Sequence, residues 1–209
     1  MKRPPGTRTP AGSAAPPSRV GRGVPRALDL VIAIAVLAVS APLIAGAAVW
    51  IKLSSRGPVL YRQRRAGLRG EPFELVKLRT MRLGSDPVGV GVPVLEDDPQ
   101  VTSAGHFLRR FSLDELPNLL NVLRGEMAIV GPRPTLEAQV ADYDDHERRR
   151  LDVLPGITGW AQVNGRAGIL WPERIELDVW YVENRTPALD VRILARTAGK
   201  LVSGQGLYG

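Results

Sequence analysis

The sequence predicts an α+β protein that is mostly helical, with an N-terminal membrane helix, a small strand pair and amphipathic interfacial helices. Three observations lead to this fold class. An apolar block follows a basic tail, two short strand-like runs come next, and several later segments have helical spacing. With 209 residues, the chain is long enough for one domain of catalytic size and a short appendage.

The first segment, residues 1–25, is predicted to be a disordered basic tail because it is rich in Pro, Gly, Ser and Ala. The whole chain has a net charge of +7, and residues 1–26 contribute six cations and no acid. Removing these six cations leaves a net charge of +1 for the remainder. Domains that bind nucleic acid typically carry a strong positive charge. Because the chain beyond residue 26 has a net charge of only +1, nucleic acid is not expected as a partner. The absence of cysteine excludes disulfides and zinc–thiolate sites.

Residues 26–56 are the predicted membrane segment, with an apolar block from Ala27 to Leu53. Since a helix needs roughly 20 apolar residues to cross a bilayer, one interpretation is a single transmembrane anchor. Pro42 and the nearby Ser40 favour another interpretation, a re-entrant helix hairpin. Proline bends a helix and frees a carbonyl, which a serine hydroxyl can bind. Each arm beside such a break has only about ten to fifteen residues, too few to span.

Positive charges flank both ends of this block: Arg22 and Arg26 before it, and Lys52, Arg56, Arg62, Arg64 and Arg65 after it. Lys and Arg collect on the cytoplasmic side of a membrane. A helix that enters, bends and returns to the same face satisfies both flanks. The pattern alone leaves the hairpin and the true span as alternatives.

Residues 57–203 are the predicted cytoplasmic catalytic domain, followed by a tail over 204–209. The runs "PVLYRQRRAG" and "PFELVKLRTM" are typical of two short strands joined by a Gly-containing turn. Residues 84–100 have the Gly and Pro content of a surface loop.

Helical patterns follow over three ranges: 135–150, 172–184 and 188–202. In the last range, Arg192, Arg196 and Lys200 share one face. Such a basic stripe is typical of a helix lying on an anionic membrane. It is equally typical of a helix packed on the domain with its charges in water.

Asp114 and Glu115 lie where another helical pattern begins, one marked by Leu116, Leu119, Leu120 and Leu123. Ser112 and Glu115 match a capping box, which needs no chemistry. Pro117 argues against that box, because it would lie where the helix needs a backbone donor. We therefore expect the helix to begin at Asp114 or later, with Asp114 as its cap. The same position suits a nucleophile, since a helix N-terminus favours an ionised carboxylate and a nearby phosphate.

Cations around this acid pair indicate a phosphate ligand. The candidates for substrate binding are Lys77, Arg79, Arg109 and Arg133, the last in a turn made rigid by Pro132 and Pro134. Arginine binds phosphate oxygens in a bidentate fashion. A carboxylate that faces a phosphoryl group needs a divalent cation between them, which predicts Mg²⁺ held by Asp114 and phosphate oxygens. Further acids that would assist are Asp97, Asp98 and Asp178, although each is more often only a surface acid.

Four motifs together resemble the bacterial sugar transferase family, the monotopic phosphoglycosyl transferases: "GPVLYRQRRAGLRGEPFELVKLRTM", "SLDELPNLLNVLRGEMAIVGPRP", "PGITGWAQVNGR" and "ELDVWYVEN". The resemblance covers roughly Arg26 to Leu201. It implies transfer of sugar-1-phosphate from a UDP-sugar to a membrane polyprenyl (undecaprenyl) phosphate, with release of UMP. This reaction initiates exopolysaccharide, capsule or other glycan biosynthesis at the bacterial inner membrane, with the catalytic domain on the cytoplasmic face.

The resemblance also implies residue roles. Asp114 would be the nucleophile, forming a covalent aspartyl-phosphosugar in a ping-pong reaction that requires Mg²⁺. Glu115 would assist, with a base toward the incoming lipid phosphate as one role. The family's re-entrant helix breaks at a Ser-Pro pair, here Ser40-Ala41-Pro42, with the serine one place early. Two further departures are Ala167, where an Asn is expected, and Phe111, where a small polar residue is common.

Other classes of function remain to be separated by experiment. A non-catalytic, membrane-anchored scaffold would bind a partner through its basic tail. A UDP-sugar hydrolase would use water in place of the lipid phosphate. The sequence does not indicate which sugar is carried, and it is compatible with a homo-oligomer.

Overall fold

The computed structural model describes residues 20–85, 98–165 and 170–202, and every structural statement below concerns these residues. Most of the predicted tail 1–25, most of the predicted loop 84–100 and the tail 204–209 lie outside the described residues. So do Asp97 and Ala167.

The first helix, α1 (Arg26–Ser54), has 29 residues and continues across Pro42 without interruption. It is long and apolar enough to cross a membrane. Its Ser40 hydroxyl donates to the Val36 carbonyl at 2.6 Å. The carbonyl that Pro42 leaves without a donor belongs to Ala38, so Ser40 does not compensate for the proline as the sequence suggested. The re-entrant hairpin stays a prediction.

One face of α1 lies against the rest of the protein along its length. Its buried residues are spaced by 4, 7, 7 and 4 positions, as a helical stripe requires: Asp29, Ala33, Ser40, Ala47 and Ile51. Large apolar side chains elsewhere on the helix are exposed, among them Val31, Ile34, Val39, Val49 and Leu53. The helix is therefore partnered on one side and unpartnered on the other.

A hairpin follows α1, as predicted. Strands β1 (Leu60–Ala66) and β2 (Pro72–Leu78) pair antiparallel, with Leu60 opposite Leu78 and Ala66 opposite Pro72. Directly opposite residues of an antiparallel pair project from the same face. The face that carries Lys77 and Leu75 on β2 is therefore the face that carries Arg65 on β1.

A second, parallel pair was not predicted. Strand β3 (Ala128–Val130) lies beside β4 (Gly156–Thr158), and each strand has only three residues, too few for a visible period. The backbone after β3 lies very close to the start of β4. A Cβ on Gly156, the first residue of β4, would meet the nitrogen of Gly131, which follows β3, at 2.1 Å. Only glycine fits there.

The remaining helices are α2 (Ser103–Arg110), α3 (Asn118–Arg124), α4 (Glu137–Ala141), α5 (Asp145–Arg148), α6 (Trp160–Asn164), α7 (Trp171–Asn184) and α8 (Pro187–Val202). The expectation of one helix over 135–150 is wrong, because α4 ends and Asp144 starts α5. The Asp144 carboxylate accepts from the Glu147 nitrogen at 2.8 Å, while the Glu147 carboxylate accepts from the Asp144 nitrogen. This reciprocal cap fixes a new helix start.

The basic stripe of α8 packs largely on the domain. Arg196 donates to the Asn164 side chain at 2.5 Å, and Lys200 donates to the Gln162 carbonyl at 3.0 Å. The Arg196 guanidinium also lies over the Trp160 ring. Two of the three stripe cations therefore face α6, which favours the domain-packed interpretation of this helix.

The main core joins the strands to the long helices. It includes Phe73 and Leu75 of β2, Val122 of α3, Tyr181 of α7 and Ile193 of α8. The α1 residue Ala33 belongs to the same cluster. Both the first strand pair and α3 are thus fixed against one body, and the acid pair lies in the chain just before α3.

Candidate active site

Asp114 and Glu115 lie in a 3₁₀ turn, Leu113–Glu115, between α2 and α3. Ser112 precedes the turn in the left-handed region, with φ of 54°, and makes no capping hydrogen bond. Helix α3 begins only at Asn118, directly after Pro117. The predicted start at or after Asp114 and the argument against the capping box are thus confirmed, whereas the predicted capping role of Asp114 is wrong. Proline lacks an N–H, so the first regular turn begins after it.

Glu115 is the buried member of the pair, with 4% of its surface exposed. Its Oε1 accepts from Lys77 Nζ at 2.5 Å and from Arg133 Nη2 at 3.0 Å. Burial raises the pKa of Glu115, but the charges of Arg133 and Lys77 and their hydrogen bonds outweigh it and lower this pKa to about 2. The carboxylate is therefore ionised at neutral pH. Its second oxygen, Oε2, is buried without a hydrogen-bond partner among the described residues.

Asp114 is half-buried and has the opposite electrostatic character. Burial, followed by the adjacent Glu115 charge, raises the pKa of Asp114 to about 6, although Lys77, Arg109 and Arg133 act against this rise. At neutral pH most Asp114 carboxylates are therefore ionised but poorly stabilised. Two neighbouring acids with separated pKa values are typical of sites that divide chemical roles.

Lys77 and Arg133 reach Glu115 from two different elements. Lys77 projects from β2, and burial lowers its pKa, which the Glu115 charge partly offsets. Arg133 comes from the turn that follows β3. The sequence-predicted residues Lys77, Glu115 and Arg133 are thus brought together. Asp114 is close enough for the charges of Lys77 and Arg133 to lower its pKa.

The Arg133 turn is held by its backbone. Pro132 and Pro134 have fixed φ and no N–H, so the turn has few donors of its own. Instead, four successive carbonyls accept hydrogen bonds from elsewhere: Pro132 from the Gly156 nitrogen at 2.9 Å, Arg133 from Arg150 at 3.0 Å, Pro134 from Arg65 at 3.4 Å, and Thr135 from the Ala66 nitrogen at 2.9 Å. These four hydrogen bonds join the turn to β1, to β4 and to Arg150.

A pocket beside Glu115 contains two residues that sequence reasoning missed. Arg65 and Asn118 line it together with Lys77, Glu115 and Arg133. Burial, followed by the Arg133 charge, lowers the pKa of Arg65 to about 10. Strand alternation was the signal for Arg65, because β1 and β2 place it on the face of Lys77. No comparable signal pointed to Asn118, whose buried Oδ1 lacks a partner among the described residues.

Two other predicted cations lie apart from this cluster or at its margin. Arg79 is 5% exposed and donates to the carbonyls of Ser55 and Arg56, at 3.0 and 2.7 Å. It therefore joins β2 to the end of α1, and the structure does not bring it to the acids. Arg109 is half-buried in α2 and lies near enough to oppose the rise in the pKa of Asp114.

The donor set fits Mg²⁺ only as a metal shared with a substrate. The described residues contain no group of three or more His, Cys, Asp or Glu side chains that could hold a metal ion. Mg²⁺ is commonly bound by one or two carboxylates together with substrate phosphates. Half-buried Asp114 provides one such carboxylate, and Glu115 Oε2, buried without a partner among the described residues, is a second candidate donor. Two of the further acids have other partners: Asp178 pairs with Arg150, and Asp98 accepts from the Gln100 nitrogen.

Comparison with known proteins matches this chain to sugar transferases. A model of the bacterial sugar transferase family matches residues 20–204. The chain is 43% identical over 182 residues to the uncharacterized sugar transferase EpsL of Bacillus subtilis strain 168, covering 87% of this chain and 89% of that protein.

Two matches are to larger proteins named UDP-glucose:undecaprenyl-phosphate glucose-1-phosphate transferase. The one from Xanthomonas campestris pv. campestris is 42% identical over 86% of this chain and 39% of its own length. The one from Escherichia coli K12 is 40% identical over 92% of this chain and 43% of its own length. The chain thus spans most of the Bacillus protein and less than half of each of these two.

Proposed function

The chain belongs to the bacterial sugar transferase family, and on that premise we propose that it is a phosphoglycosyl transferase acting on a UDP-sugar and a polyprenyl phosphate. Two relatives are named for transfer from UDP-glucose to undecaprenyl phosphate. A third, 36% identical over 197 residues, is the exopolysaccharide production protein ExoY of Sinorhizobium fredii. The observation that carries the proposal is half-buried Asp114, kept next to an ionised Glu115 that two cations hold in place.

In the first half-reaction, an Asp114 carboxylate oxygen attacks the sugar-bearing phosphorus of the UDP-sugar. The bond from that phosphorus to the bridging oxygen breaks, and UMP leaves with the electron pair. The sugar-1-phosphate is then joined to Asp114 as an acyl phosphate, a covalent intermediate. Burial and the neighbouring Glu115 charge raise the pKa of Asp114 to about 6, so the carboxylate is ionised at neutral pH yet weakly stabilised.

In the second half-reaction, an oxygen of the polyprenyl phosphate attacks the same phosphorus. The Asp114–phosphorus bond breaks, the carboxylate is restored, and polyprenyl diphosphate sugar leaves. One phosphoanhydride is exchanged for another, so no external energy source is required. Because one carboxylate serves both steps, the soluble and the membrane-bound substrate use the same small site in turn.

The surrounding side chains fix the phosphates and set the charge. Arg133 and Lys77 provide donors to phosphate oxygens, and Arg65 lines the same pocket. Glu115, with a pKa lowered to about 2, is a weak base at neutral pH. We therefore assign it to holding Lys77 and Arg133 in place rather than to proton removal.

Magnesium fits this site as a shared ion. Asp114 would hold it together with substrate phosphate oxygens, and the unpaired Oε2 of Glu115 is a further donor. A divalent cation there would reduce the repulsion between carboxylate and phosphate.

The packing of α1 supports attachment from one side of the membrane. At its start, Arg26 donates to the carbonyls of Met127 and Val122, and the Asp29 carboxylate accepts from the Ile129 nitrogen at 3.1 Å. At its end, Ile51 packs against residues of β2 and α2. Both ends of the helix thus contact one body.

A spanning helix would separate its ends. At 1.5 Å per residue α1 is roughly 44 Å long, and a hydrocarbon core is about 30 Å thick. A helix across that core would place its ends on opposite sides, whereas both ends of α1 contact the same domain. We propose that α1 enters and leaves the bilayer on the cytoplasmic face, with its unpartnered apolar side in lipid.

A product assay tests the proposal. Membranes containing the full chain would be incubated with a panel of UDP-sugars labelled in the sugar-bearing phosphate, with and without added undecaprenyl phosphate. We expect label in the lipid extract and UMP in equal amount. Free sugar-1-phosphate formed regardless of lipid would identify a hydrolase. No UMP from any sugar in the panel would support the scaffold.

A further inference from the structure

Arg150 is a buried cation outside the proposed phosphate-binding group. Only 2% of its surface is exposed, and its guanidinium donates in three directions. It bonds the Tyr143 hydroxyl at 2.6 Å, Asp178 Oδ2 at 2.5 Å and the Arg133 carbonyl at 3.0 Å. The planar fork of arginine can serve such a divergent set at once, which a lysine ammonium on a flexible stem does not do equally well.

Stability alone is a weak explanation for this arrangement. Asp178 is 1% exposed, so both charges of the pair are removed from water. Replacing such a buried ion pair by apolar side chains of similar volume is often neutral or stabilising. The pair therefore calls for another role, and the contact to the Arg133 backbone is the one that leads toward the acid cluster.

Arg133 is held both at its guanidinium and at its backbone carbonyl. Its guanidinium reaches Glu115 at 3.0 Å, while its carbonyl receives the Arg150 guanidinium, also at 3.0 Å. Other groups hold the neighbouring carbonyls of the turn, but Arg150 contacts the peptide of Arg133 itself. A displacement of this peptide would move the arginine side chain relative to both the pocket and Glu115.

We propose that Arg150, oriented by Asp178 and Tyr143, is a positioning residue that fixes Arg133 for contact with the substrate phosphates. The inference rests on the proposed function, in which Arg133 binds phosphate. Arg150 lies behind the turn and acts through the Arg133 backbone, without contacting substrate. Asp178, which the sequence suggested as a further acid near the metal, orients this unit.

The chain supplies a matched control beside Arg150. Arg149 pairs with Glu183 of α7, as Arg150 pairs with Asp178 of the same helix. The Arg149 side chain is 30% exposed, and no described hydrogen bond links it to the Arg133 turn. A change at Arg149 therefore perturbs the same pair of elements without reaching the site.

The test is a double-mutant cycle on the purified full chain in detergent. Arg150→Lys, Arg133→Lys, the double variant and the control Arg149→Lys are compared by kcat/KM for the UDP-sugar, measured as UMP release. Small misplacements of a binding group can cost roughly 100-fold. We expect a loss of about 10- to 100-fold for Arg150→Lys, none for Arg149→Lys, and less than about 3-fold further loss when Arg133 is already replaced.

A loss from Arg150→Lys that is equally large in both Arg133 backgrounds would overturn the proposal. If Arg150→Lys does not fold, the apolar pair Arg150→Met/Asp178→Leu replaces it in the same cycle, since it leaves no buried charge alone. Wild-type activity of a folded apolar pair, or loss of fold in both variants, would assign the pair to stability and contradict positioning. A wild-type chain that makes no lipid-linked product would instead refute the proposed function.

Discussion

Two charged clusters on neighbouring sides of the Arg133 turn differ in how their charges are matched. Behind the turn, Arg150 and Asp178 form a closed pair, each with 2% or less of its surface exposed. In front of it, the pocket has three cations, Arg65, Lys77 and Arg133, against the single acid Glu115. Glu115 also keeps one buried oxygen without a partner among the described residues, and the adjacent Asp114 is half-buried.

The front charges are thus suited to binding a ligand, whereas the rear pair is suited to positioning the turn. The charges of the rear pair balance each other, whereas the excess of cations in the front cluster would be stabilised by an added anion. A phosphate in the pocket would complete the front cluster and leave the rear one unchanged. Substitutions should therefore reduce activity most at the two acids, Asp114 and Glu115, and most of all at Asp114, the carboxylate that makes the bond.

The largest effect is expected for Asp114→Asn. The amide keeps the shape of the side chain but cannot form the acyl phosphate, so UMP release should fall by roughly 10⁴-fold or more, as for a removed nucleophile. The matched control is Glu173→Gln on the exposed surface of α7, which should retain wild-type activity. UMP release from Asp114→Asn within tenfold of wild type would show that another group attacks phosphorus.

Glu115→Gln should have the next largest effect. The amide weakens the contacts to Lys77 and Arg133, and a loss of roughly 10²- to 10³-fold in kcat is expected, comparable to losing one preorganised electrostatic contact. Steady-state assays with both substrates saturating measure this. An unchanged kcat would remove Glu115 from the arrangement that holds the two cations.

The pH profile of kcat/KM for the UDP-sugar reports Asp114 in the free enzyme. Its pKa is raised to about 6 by burial and then by Glu115, and a protonated carboxyl does not attack. Activity should therefore fall as the pH drops through about 6. In Glu115→Gln, one source of the raised pKa is gone, so the acid limb should move to lower pH. An identical limb in both proteins would contradict the electrostatic coupling of the two acids.

Arg65→Gln should have a smaller effect, felt mainly in binding. Arg65 lines the pocket together with Glu115, so we expect KM for the UDP-sugar to rise roughly tenfold, the effect of one charged hydrogen bond of about 1.5 kcal/mol or more. Arg64→Gln is the control, because Arg64 projects from the opposite face of β1 and pairs with Glu137 at the surface. Equal effects at both positions would show that strand charge matters without regard to the pocket.

The smallest effect is expected for Arg62→Gln. This residue pairs with Glu74 at 3.0 Å on the exposed side of the hairpin, with side chains 59% and 49% exposed. Such pairs contribute about 0.2–1 kcal/mol to the free energy of unfolding. Urea denaturation measures the change, and a loss above about 2 kcal/mol would contradict the view that exposed pairs on this hairpin contribute little.

The parts of the fold that local sequence determines were predictable. The hairpin, α7 and α8 follow from alternation and helical spacing, and the motifs around Lys77, Glu115 and Arg133 indicated one phosphate site. Where a prediction failed, a local hydrogen bond or a strand end decided the outcome. Asp144 starts a new helix within the range predicted as one, and β2 ends before Arg79, which turns to the end of α1 instead.

The missed residues divide in the same way. Arg65 was accessible through the alternation of β1, because it shares a face with Lys77. The Arg150–Asp178 pair was not, since 28 positions separate the two residues and no periodic pattern relates them. Which distant buried charges pair with each other depends on the packed structure. The contact of Arg150 with the Arg133 backbone carbonyl cannot be inferred from the sequence either, because every residue has such a carbonyl.

The most direct test of the central claim is to trap the first half-reaction. The purified full chain would be incubated with a UDP-sugar and Mg²⁺ without polyprenyl phosphate, quenched and analysed by intact-protein and peptide mass spectrometry. We expect one added sugar phosphate on the peptide that contains Asp114, absent from Asp114→Asn and removed by added polyprenyl phosphate. Turnover with no adduct, or an adduct on another residue, would contradict this claim.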